Sequence, residues 1–120
     1  MGITQTIGAK GEAIAQNYLL QNGFAIRHIN WRFGSKELDI VATKNSFLHI
    51  VEVKTRTSQY WEEPKDAVVR RKQKNIIDAA EAYITRYDID TQTQFDVISI
   101  LLLDEKCEIE YIPDAFSPLI

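Results

Sequence analysis

The segment FLHIVEVKT, residues 47–55, restricts the fold of this chain more than any other stretch. Side chains along a strand alternate between its two faces, so Ile50, Glu52 and Lys54 share one face while the residues between them share the other. A strand that is apolar on both faces needs cover on both, which predicts a central strand in a layered structure. One face of this strand nevertheless ends in a carboxylate and an ammonium group that point the same way.

The rest of the chain divides into helical and extended segments joined by short links. Apolar residues recur at helical spacing in IGAKGEAIAQNYLLQNG, which closes with the helix stop Asn22-Gly23, and again in KNIIDAAEAYITRY. Segments rich in β-forming residues lie at 24–32, 37–42, 47–55, 95–103 and 108–112, the last ending at Pro113. The order αβββαββ, with three antiparallel strands and a later hairpin, predicts an α/β or α+β sandwich around a central sheet.

Length and composition are those of a compact protein. A chain of 120 residues, 45% hydrophobic and 26% charged, without a linker or a repeat, predicts one domain over residues 1–120. A single cysteine, Cys107, cannot form an internal disulfide, and no secretory leader opens the sequence, so we expect a cytoplasmic location. The longest apolar run, VISILLL at 97–103, is too short to span a bilayer, so we expect no membrane partner.

The charge is unevenly distributed along the chain. The net charge is −3, yet residues 27–74 hold eleven Lys and Arg against six Asp and Glu, whereas residues 75–120 hold two against ten. The basic segment is compatible with an ordinary solvated surface or with a basic face that binds nucleic acid.

The link between the second and third strands decides whether two carboxylates can meet. A four-residue link that pairs residue 42 with 47, or a two-residue link that pairs 43 with 46, places Asp39 diagonal to Glu52 on the same side of the sheet. The two backbones are then about 7 Å apart, and both side chains can reach one cation. Leu38 and Ile40 are expected to share the opposite, apolar face. A link one residue longer or shorter would separate the carboxylates.

Carboxylates held close together repel one another unless they are protonated, solvated or bound to a cation. Oxygen ligands without thiolates favour Mg²⁺ or Mn²⁺, so we predict that Asp39 and Glu52 hold such an ion. Lys54 would then position a water or stabilise charge on a phosphate. Glu12, at the edge of the apolar face of the first helix, is a further candidate, with a side chain that simply reaches water as the alternative. A strand Glu-x-Lys can also be a plain solvent-side ion pair.

Five segments of the chain, in order, resemble the YraN family of uncharacterised bacterial proteins: GEAIAQNYLLQNGF, NWRFGSKELDIVA, VEVKTR, AVVRRKQKNIIDAAEAYI and FDVISI. That family is regarded as distantly similar to archaeal Holliday junction resolvases and so to the PD-(D/E)xK nuclease superfamily. The resemblance therefore implies a restriction-endonuclease-like three-layer sandwich, in which helices flank a central mixed sheet. The chain departs from the family pattern at Lys36, where glycine is usual, and at Gln94, where arginine is usual.

The resemblance also implies roles for individual residues. Asp39 corresponds to the acidic residue of the second core strand, and Glu52 and Lys54 correspond to the E-x-K pair. Glu12 corresponds to the first-helix glutamate of resolvase-like members. The backbone carbonyl of Val53 corresponds to the usual extra metal ligand.

A set of basic and polar residues forms the predicted nucleic-acid surface. Cations at the start of a helix oppose the helix dipole, so we attribute those that open the second helix to phosphate contact, with a solvated face as the alternative. Trp31, Tyr60 and Trp61 are candidates for stacking on bases, with packing in the core or at its rim as the alternative. His28 and His49 are predicted to be packing or surface residues rather than metal ligands. The predicted nucleic-acid-binding residues are Arg32, Arg56, Arg70, Arg71, Lys72, Gln73 and Lys74.

These features predict an endonuclease that depends on Mg²⁺ or Mn²⁺ and hydrolyses phosphodiester bonds in DNA rather than RNA, with branched or junction DNA as a substrate class. One alternative is a non-catalytic nucleic-acid-binding or partner-binding module that keeps the fold. Another is a carboxylate–metal hydrolase of small phosphoesters. Resolvase-like relatives act as dimers on two-fold symmetric junctions, so the resemblance also allows a homodimer.

Overall fold

The computed structural model describes residues 6–57 and 70–118, and its elements follow the predicted order αβββαββ. No helix in these ranges is long and apolar enough to cross a membrane. The elements are α1 (Ile7–Gln21), β1 (Ala25–Phe33), β2 (Lys36–Lys44), β3 (Phe47–Arg56), α2 (Arg70–Arg86), β4 (Gln92–Leu102) and β5 (Cys107–Phe116).

The strands form one mixed sheet in the order β1-β2-β3-β4-β5. Neighbouring strands are antiparallel except β3 and β4, which are parallel and are joined through α2. β3 is therefore the middle strand, as its apolar faces predicted. β5 lies at an edge and continues past Pro113, where the sequence predicted its end, because a proline in an edge strand need not donate to the ladder.

Helices cover both faces of this sheet. On one face, Leu19 of α1 lies in the same core cluster as Val51 of β3. On the other face, Tyr83 of α2 lies in a cluster with Ile50 of β3, and all four side chains are fully buried. Each such burial stabilises the fold by roughly 1.5–3 kcal/mol, and α1 packs mainly on β3 whereas α2 packs mainly on β2. The three-layer arrangement is confirmed.

The two ends of α1 follow from local sequence signals. The Thr6 hydroxyl accepts a hydrogen bond from the Ala9 N–H at 3.1 Å and so caps the first turn. At the other end Gly23 has a φ of +86°, and the Phe24 N–H donates to the Leu19 carbonyl at 3.0 Å, which is a Schellman motif. The reversal buries Phe24 and starts β1.

The β2–β3 hairpin differs from the predicted register by two residues. Lys44 pairs with Phe47, and the turn consists of Asn45 and Ser46, whose φ values of 53° and 66° are those of a type I′ turn. The predicted pairs 42 with 47 and 43 with 46 are therefore wrong. Because the shift is even, no paired side chain changes face, and the pairing ends at Ile40 and Val51, directly before Asp39 and Glu52 meet.

The alternation of β2 is broken at Asp39. Leu38 belongs to the core cluster on the α2 side, whereas Ile40 belongs to the cluster on the α1 side, so the prediction that they share a face is wrong. The cause lies in the pairing with β1, which matches Ile29 to Ile40 and then Trp31 to Leu38, while Asn30 between them has a φ of +50°. This local irregularity re-aims the backbone where the two carboxylates meet.

Candidate metal and phosphate site

The strands β2 and β3 change their mode of pairing where the carboxylates lie. Their backbone register ends at Ile40 and Val51. Beyond that pair, Oδ2 of Asp39 accepts a hydrogen bond from the Val53 N–H at 2.9 Å, and the Asp39 N–H donates to Oε2 of Glu52 at 3.3 Å. Side chains thus replace the backbone ladder, and the exchange holds the two carboxyl groups side by side.

Glu52 is a buried carboxyl group that the protein satisfies poorly. Its side chain is 2% exposed, and Oε1 has no hydrogen-bond partner among the described residues. The Lys72 Nζ lies 3.9 Å from Oε1, on a side chain that is 54% exposed. Burial, and then the charge of Asp39, raises the pKa of Glu52 well above the usual range of a glutamate, and Lys72 offsets only part of that rise. A bound cation would offset both the burial of the Glu52 carboxylate and its repulsion from Asp39.

Gly11 allows α1 to approach β3 next to this pair. A Cβ at this position would overlap the side chain of Thr55, so a residue other than glycine would push the helix away. The next residue, Glu12, is half-buried. Burial, and then the charge of Asp39, raises the pKa of Glu12, while a hydrogen bond with the Asn30 side chain lowers it. The structure therefore brings Glu12 within electrostatic range of Asp39 from the α1 side.

Lys54 and Arg56 follow Glu52 on the same face of β3. Lys54 is half-buried and forms no ion pair with any residue in the described ranges. Two residues along a strand are about 6.6 Å apart, so Nζ of Lys54 can reach a group bound at the Glu52 carboxylate. Arg56 donates to the Ser99 hydroxyl at 3.4 Å, which holds its guanidinium over β4.

These oxygen atoms fit a hard divalent cation, although they do not form a closed cage. Within the described part of the chain, no three His, Cys, Asp or Glu side chains converge as a metal site, so Glu12 does not join the other two carboxylates as a third ligand. The Val53 carbonyl faces β2, as its N–H does, because both groups of a strand residue point to the same neighbouring strand. Mg²⁺ commonly takes one or two carboxylates and fills its other positions with water and phosphate, so this donor set suffices.

The first turns of α2 place cations beside the carboxylates. Lys72 reaches Glu52, and Arg70 and Arg71 are exposed next to it. Gln73 is half-buried on the same turn. A charged ligand that entered above Glu52 would meet this end of α2.

Two other predicted nucleic-acid contacts lie farther from Glu52 and have acidic partners. Lys74 is 3.4 Å from Asp78 on its own helix. Arg32 lies on β1, is 65% exposed and pairs with Glu37 at 3.5 Å. An exposed pair of this kind contributes under about 1 kcal/mol, so either cation can exchange its partner for a phosphate.

Trp31 is half-buried and packs against the core cluster on the α2 side, which matches the rim-packing alternative to base stacking. Its Nε1 donates to the Tyr87 hydroxyl at 3.2 Å, and its ring meets Tyr83 edge to face at 5.1 Å between centroids. His28 joins this cluster through a 2.8 Å hydrogen bond with the Tyr83 hydroxyl. The other two stacking candidates, Tyr60 and Trp61, lie outside the described residues.

Comparison with known proteins assigns the chain to a family. The model of the uncharacterised protein family UPF0102 matches residues 11–100. The chain belongs to the UPF0102 family. UPF0102 proteins of Bacteroides thetaiotaomicron and Porphyromonas gingivalis are 43% and 44% identical to it, over 93% and 94% of this chain and 93% and 85% of their own lengths. The UPF0102 protein of Chlorobaculum parvum is 43% identical over 97% of this chain and 95% of its own. The resemblance to the YraN family is confirmed.

The fold of this UPF0102 protein is that of a Holliday junction resolvase. Hjc from the archaeal hyperthermophile Archaeoglobus fulgidus, a protein named as a Holliday junction resolvase, superposes with a TM-score of 0.50 over 87% of this chain and 73% of its own. The two sequences are 18% identical, so the similarity concerns the fold. It confirms the restriction-endonuclease-like sandwich with a mixed central sheet.

A second polar cluster, which the sequence analysis missed, lies on the α1 face of β3 in this UPF0102 chain. His49 Nδ1 is 2.7 Å from Oδ2 of Asp96, and the Tyr111 hydroxyl donates to the same oxygen at 2.8 Å. His49 is buried, which matches the packing alternative of the prediction, and its partner was not predicted. The partner follows from the parallel pairing of β3 with β4, which places Val51 opposite Asp96. Sequence alternation within each strand does not reveal that pairing.

Proposed function

We propose that this protein is an endonuclease that depends on Mg²⁺ or Mn²⁺ and hydrolyses phosphodiester bonds in DNA, with branched DNA as its preferred substrate class. The observation that carries the proposal is the Oε1 of Glu52, which has no hydrogen-bond partner among the described residues and is buried beside Asp39 on a resolvase-like fold. An ordinary structural carboxylate in such a position would have donors for both of its oxygens.

The protein groups have distinct roles in this proposal. Asp39 and Glu52, with the Val53 carbonyl, would hold the cation. A divalent ion there polarises a phosphate oxygen and acidifies a bound water. Lys54 donates hydrogen bonds from Nζ to the scissile phosphate or to the attacking water, and its positive charge favours the charge that develops on the phosphate. Glu12 supplies a further carboxyl group next to Asp39 from the α1 side.

The start of α2 binds the DNA backbone in this proposal. Arg70 and Arg71 are exposed and contact phosphates by charge alone, so they contribute affinity without sequence preference. Lys72 and Gln73 lie close to the scissile position, and Lys74, Arg56 and Arg32 extend the contact on either side. A branched DNA with two-fold symmetry presents two equivalent strands, so we further propose that a homodimer cuts both.

Cleavage of a DNA panel tests the proposed activity. Labelled duplex, single-stranded, flap and four-way-junction DNAs are incubated with the protein in Mg²⁺, Mn²⁺ or EDTA. We expect cleavage in either metal and none in EDTA, with the junction cut fastest. Glu52→Gln and Lys54→Met should each lower the rate by at least about a hundredfold while DNA binding persists. The matched controls are Glu81→Gln, an exposed glutamate of α2, and Lys106→Met, an exposed lysine whose partner is Glu108, and both should cut normally.

Binding measurements separate catalysis from the rival function. Loss of Arg70 or Arg71 should weaken DNA binding and reduce the slope of log K against log salt by about 0.9 per contact. Metal-independent binding with no cleavage of any substrate would support a non-catalytic nucleic-acid-binding module. We retain that alternative because no three His, Cys, Asp or Glu side chains in the described ranges converge on a metal site. Cleavage that survives in Glu52→Gln would refute the assigned site.

A further inference from the structure

The cluster around Asp96 fixes the orientation of His49. The Gln94 side-chain amide and the Asp114 backbone N–H each donate to Oδ1 of Asp96 at 2.9 Å. Tyr111 and His49 share Oδ2 at 2.8 and 2.7 Å. A carboxylate that accepts from all four partners receives the Nδ1–H of His49, and in that tautomer the lone pair of the ring lies on Nε2.

His49 lines a cleft next to the Asp96 cluster, together with Gln94 and Tyr111 of that cluster. The cleft has a volume of about 310 Å³ and lies between the start of β1, the β2–β3 turn and the start of β4. Phe24, Phe47 and Tyr111 form its aromatic walls, and Lys44 is its one permanently charged lining residue among those described. None of the described lining residues is acidic.

The cation and the aromatic walls are adjacent. The Lys44 Nζ lies 4.9 Å from the centroid of the Phe24 ring, and that ring meets His49 edge to face, also at 4.9 Å. One ligand can therefore place a flat ring among the aromatic side chains, an anionic group at Lys44 and a hydroxyl at Nε2 of His49. The volume is near the lower limit of ligand pockets, about 300 Å³, and is sufficient for one nucleotide.

We infer that this cleft binds a single nucleoside 5′-monophosphate, either free or as the phosphorylated 5′ end of a DNA strand. The base packs against Phe24, Phe47 and Tyr111, the phosphate pairs with Lys44, and Nε2 of His49 accepts a hydrogen bond from a sugar hydroxyl or a protonated phosphate oxygen. The site lies on the α1 face near the start of β3, whereas Glu52 lies on the opposite face farther along the strand. The inference does not depend on nuclease activity.

Titration with deoxyadenosine monophosphate, followed by ¹H–¹⁵N NMR in EDTA, tests the inference without a metal at the carboxylate pair. We expect saturable shifts at Lys44, Asn45, His49 and Gln94, and none at the start of α2. Long-range spectra of the free protein should show the His49 proton on Nδ1. Lys44→Met should weaken binding about tenfold, the loss of one charged contact, whereas Lys106→Met should bind normally.

A second variant and three further ligands complete the test. His49→Gln should also weaken binding, and Lys44→Met alone decides the matter if that variant does not fold, because Lys44 is only partly buried. Deoxyadenosine and inorganic phosphate should each bind more weakly than the nucleotide. A short oligonucleotide that competes only when its 5′ end is phosphorylated identifies a DNA end as the source, and a lack of competition identifies the free nucleotide. Unchanged binding in Lys44→Met, equal binding of inorganic phosphate alone, or shifts confined to α2 would each overturn the inference.

Discussion

Replacing Glu52 by glutamine should make the metal-free protein more stable at neutral and alkaline pH. Glu52 is 1% exposed. Its carboxyl group lies beside Asp39, and one of its oxygens has no hydrogen bond within the described residues. Glutamine has nearly the same shape and can still accept from the Asp39 N–H. Its amide can also donate toward the Asp39 carboxylate, so an attraction replaces a repulsion.

The size of this effect follows from the environment of Oε1. A buried polar atom without a partner costs about 1–3 kcal/mol, and a charged one costs more. Lys72 offsets part of that cost, but its side chain is 54% exposed, and an attraction so open to solvent is worth under about 1 kcal/mol. The expected net gain is about 1–2 kcal/mol. For 120 residues the unfolding entropy is roughly 0.25 kcal/mol/K, so Tm should rise by about 4–8 °C.

The sign of the pH dependence follows from the direction of the pKa shift of Glu52. The pKa of Glu52 is higher in the folded than in the unfolded chain, so the folded state binds this proton more tightly. The stability that the protonated group contributes is present below the unfolded value, about pH 4.3, and is lost as pH rises through the folded value. Glutamine does not titrate. The advantage of Glu52→Gln should therefore be small near pH 4, increase as pH rises, and then level off.

Thermal and urea unfolding in EDTA between pH 4 and pH 9 measure this difference. Glu81→Gln, on the exposed side of α2, is the control and should follow the native protein at every pH. Two outcomes would contradict this prediction: a Glu52→Gln protein less stable than the native protein at pH 8, or a stability difference that is the same at pH 4 and pH 8. Either would mean that the protein stabilises ionised Glu52 without a cation, which removes the physical basis for the metal site.

Two further substitutions test the local geometry. Gly11→Ala should destabilise the fold by about 1–3 kcal/mol because its Cβ overlaps Thr55. The double variant Gly11→Ala/Thr55→Ala should recover part of that loss in urea unfolding, since it removes Oγ1 and Cγ2 of Thr55 and leaves its Cβ, 2.8 Å from the added carbon. An undiminished loss in the double variant would contradict the overlap. Ser46→Gly should raise Tm by about 1–4 °C because Ser46 has a φ of 66° in a type I′ turn, where glycine is unstrained. A lower Tm would mean that the Ser46 side chain stabilises the turn by more than its backbone strain costs.

Local signals predicted the fold well because they act over a few residues. The stop Asn22-Gly23 ended α1 through one positive φ, and the two apolar faces of β3 required a layer on each side. The predicted register of the β2–β3 hairpin was wrong by two residues. An Asn-Gly pair would have identified the two turn residues, but the turn here is Asn45-Ser46 and contains no glycine. An even shift leaves the faces of the paired residues unchanged, so Asp39 and Glu52 still met.

Contacts between distant segments could not be predicted in the same way. The parallel pairing of β3 with β4 depends on how α2 crosses the sheet, and it alone places His49 against Asp96. The proximity of Glu12 to Asp39 depends on the close approach that Gly11 allows, whereas the helical pattern shows only that Glu12 lies at the edge of the apolar face.

The two buried carboxyl groups of this sheet show how structure separates a structural acid from a functional one. Asp96 is fully buried, and four partners at 2.7–2.9 Å use both of its oxygens, so the protein itself meets every requirement of that group. Glu52 is as deeply buried, yet it receives one backbone donor at 3.3 Å and a lysine at 3.9 Å, and Asp39 lies against it. A buried carboxyl group whose oxygens are all hydrogen-bonded, such as Asp96, is compatible with a stable fold. A buried carboxyl group that lacks donors, such as Glu52, costs stability unless a group from outside the chain binds it. We propose a cation as the missing partner of Glu52, because a positive charge offsets both its burial and the repulsion from Asp39. In that proposal a cation at the two carboxylates would have Lys54 and the basic start of α2 at its open side, where a phosphate would bind.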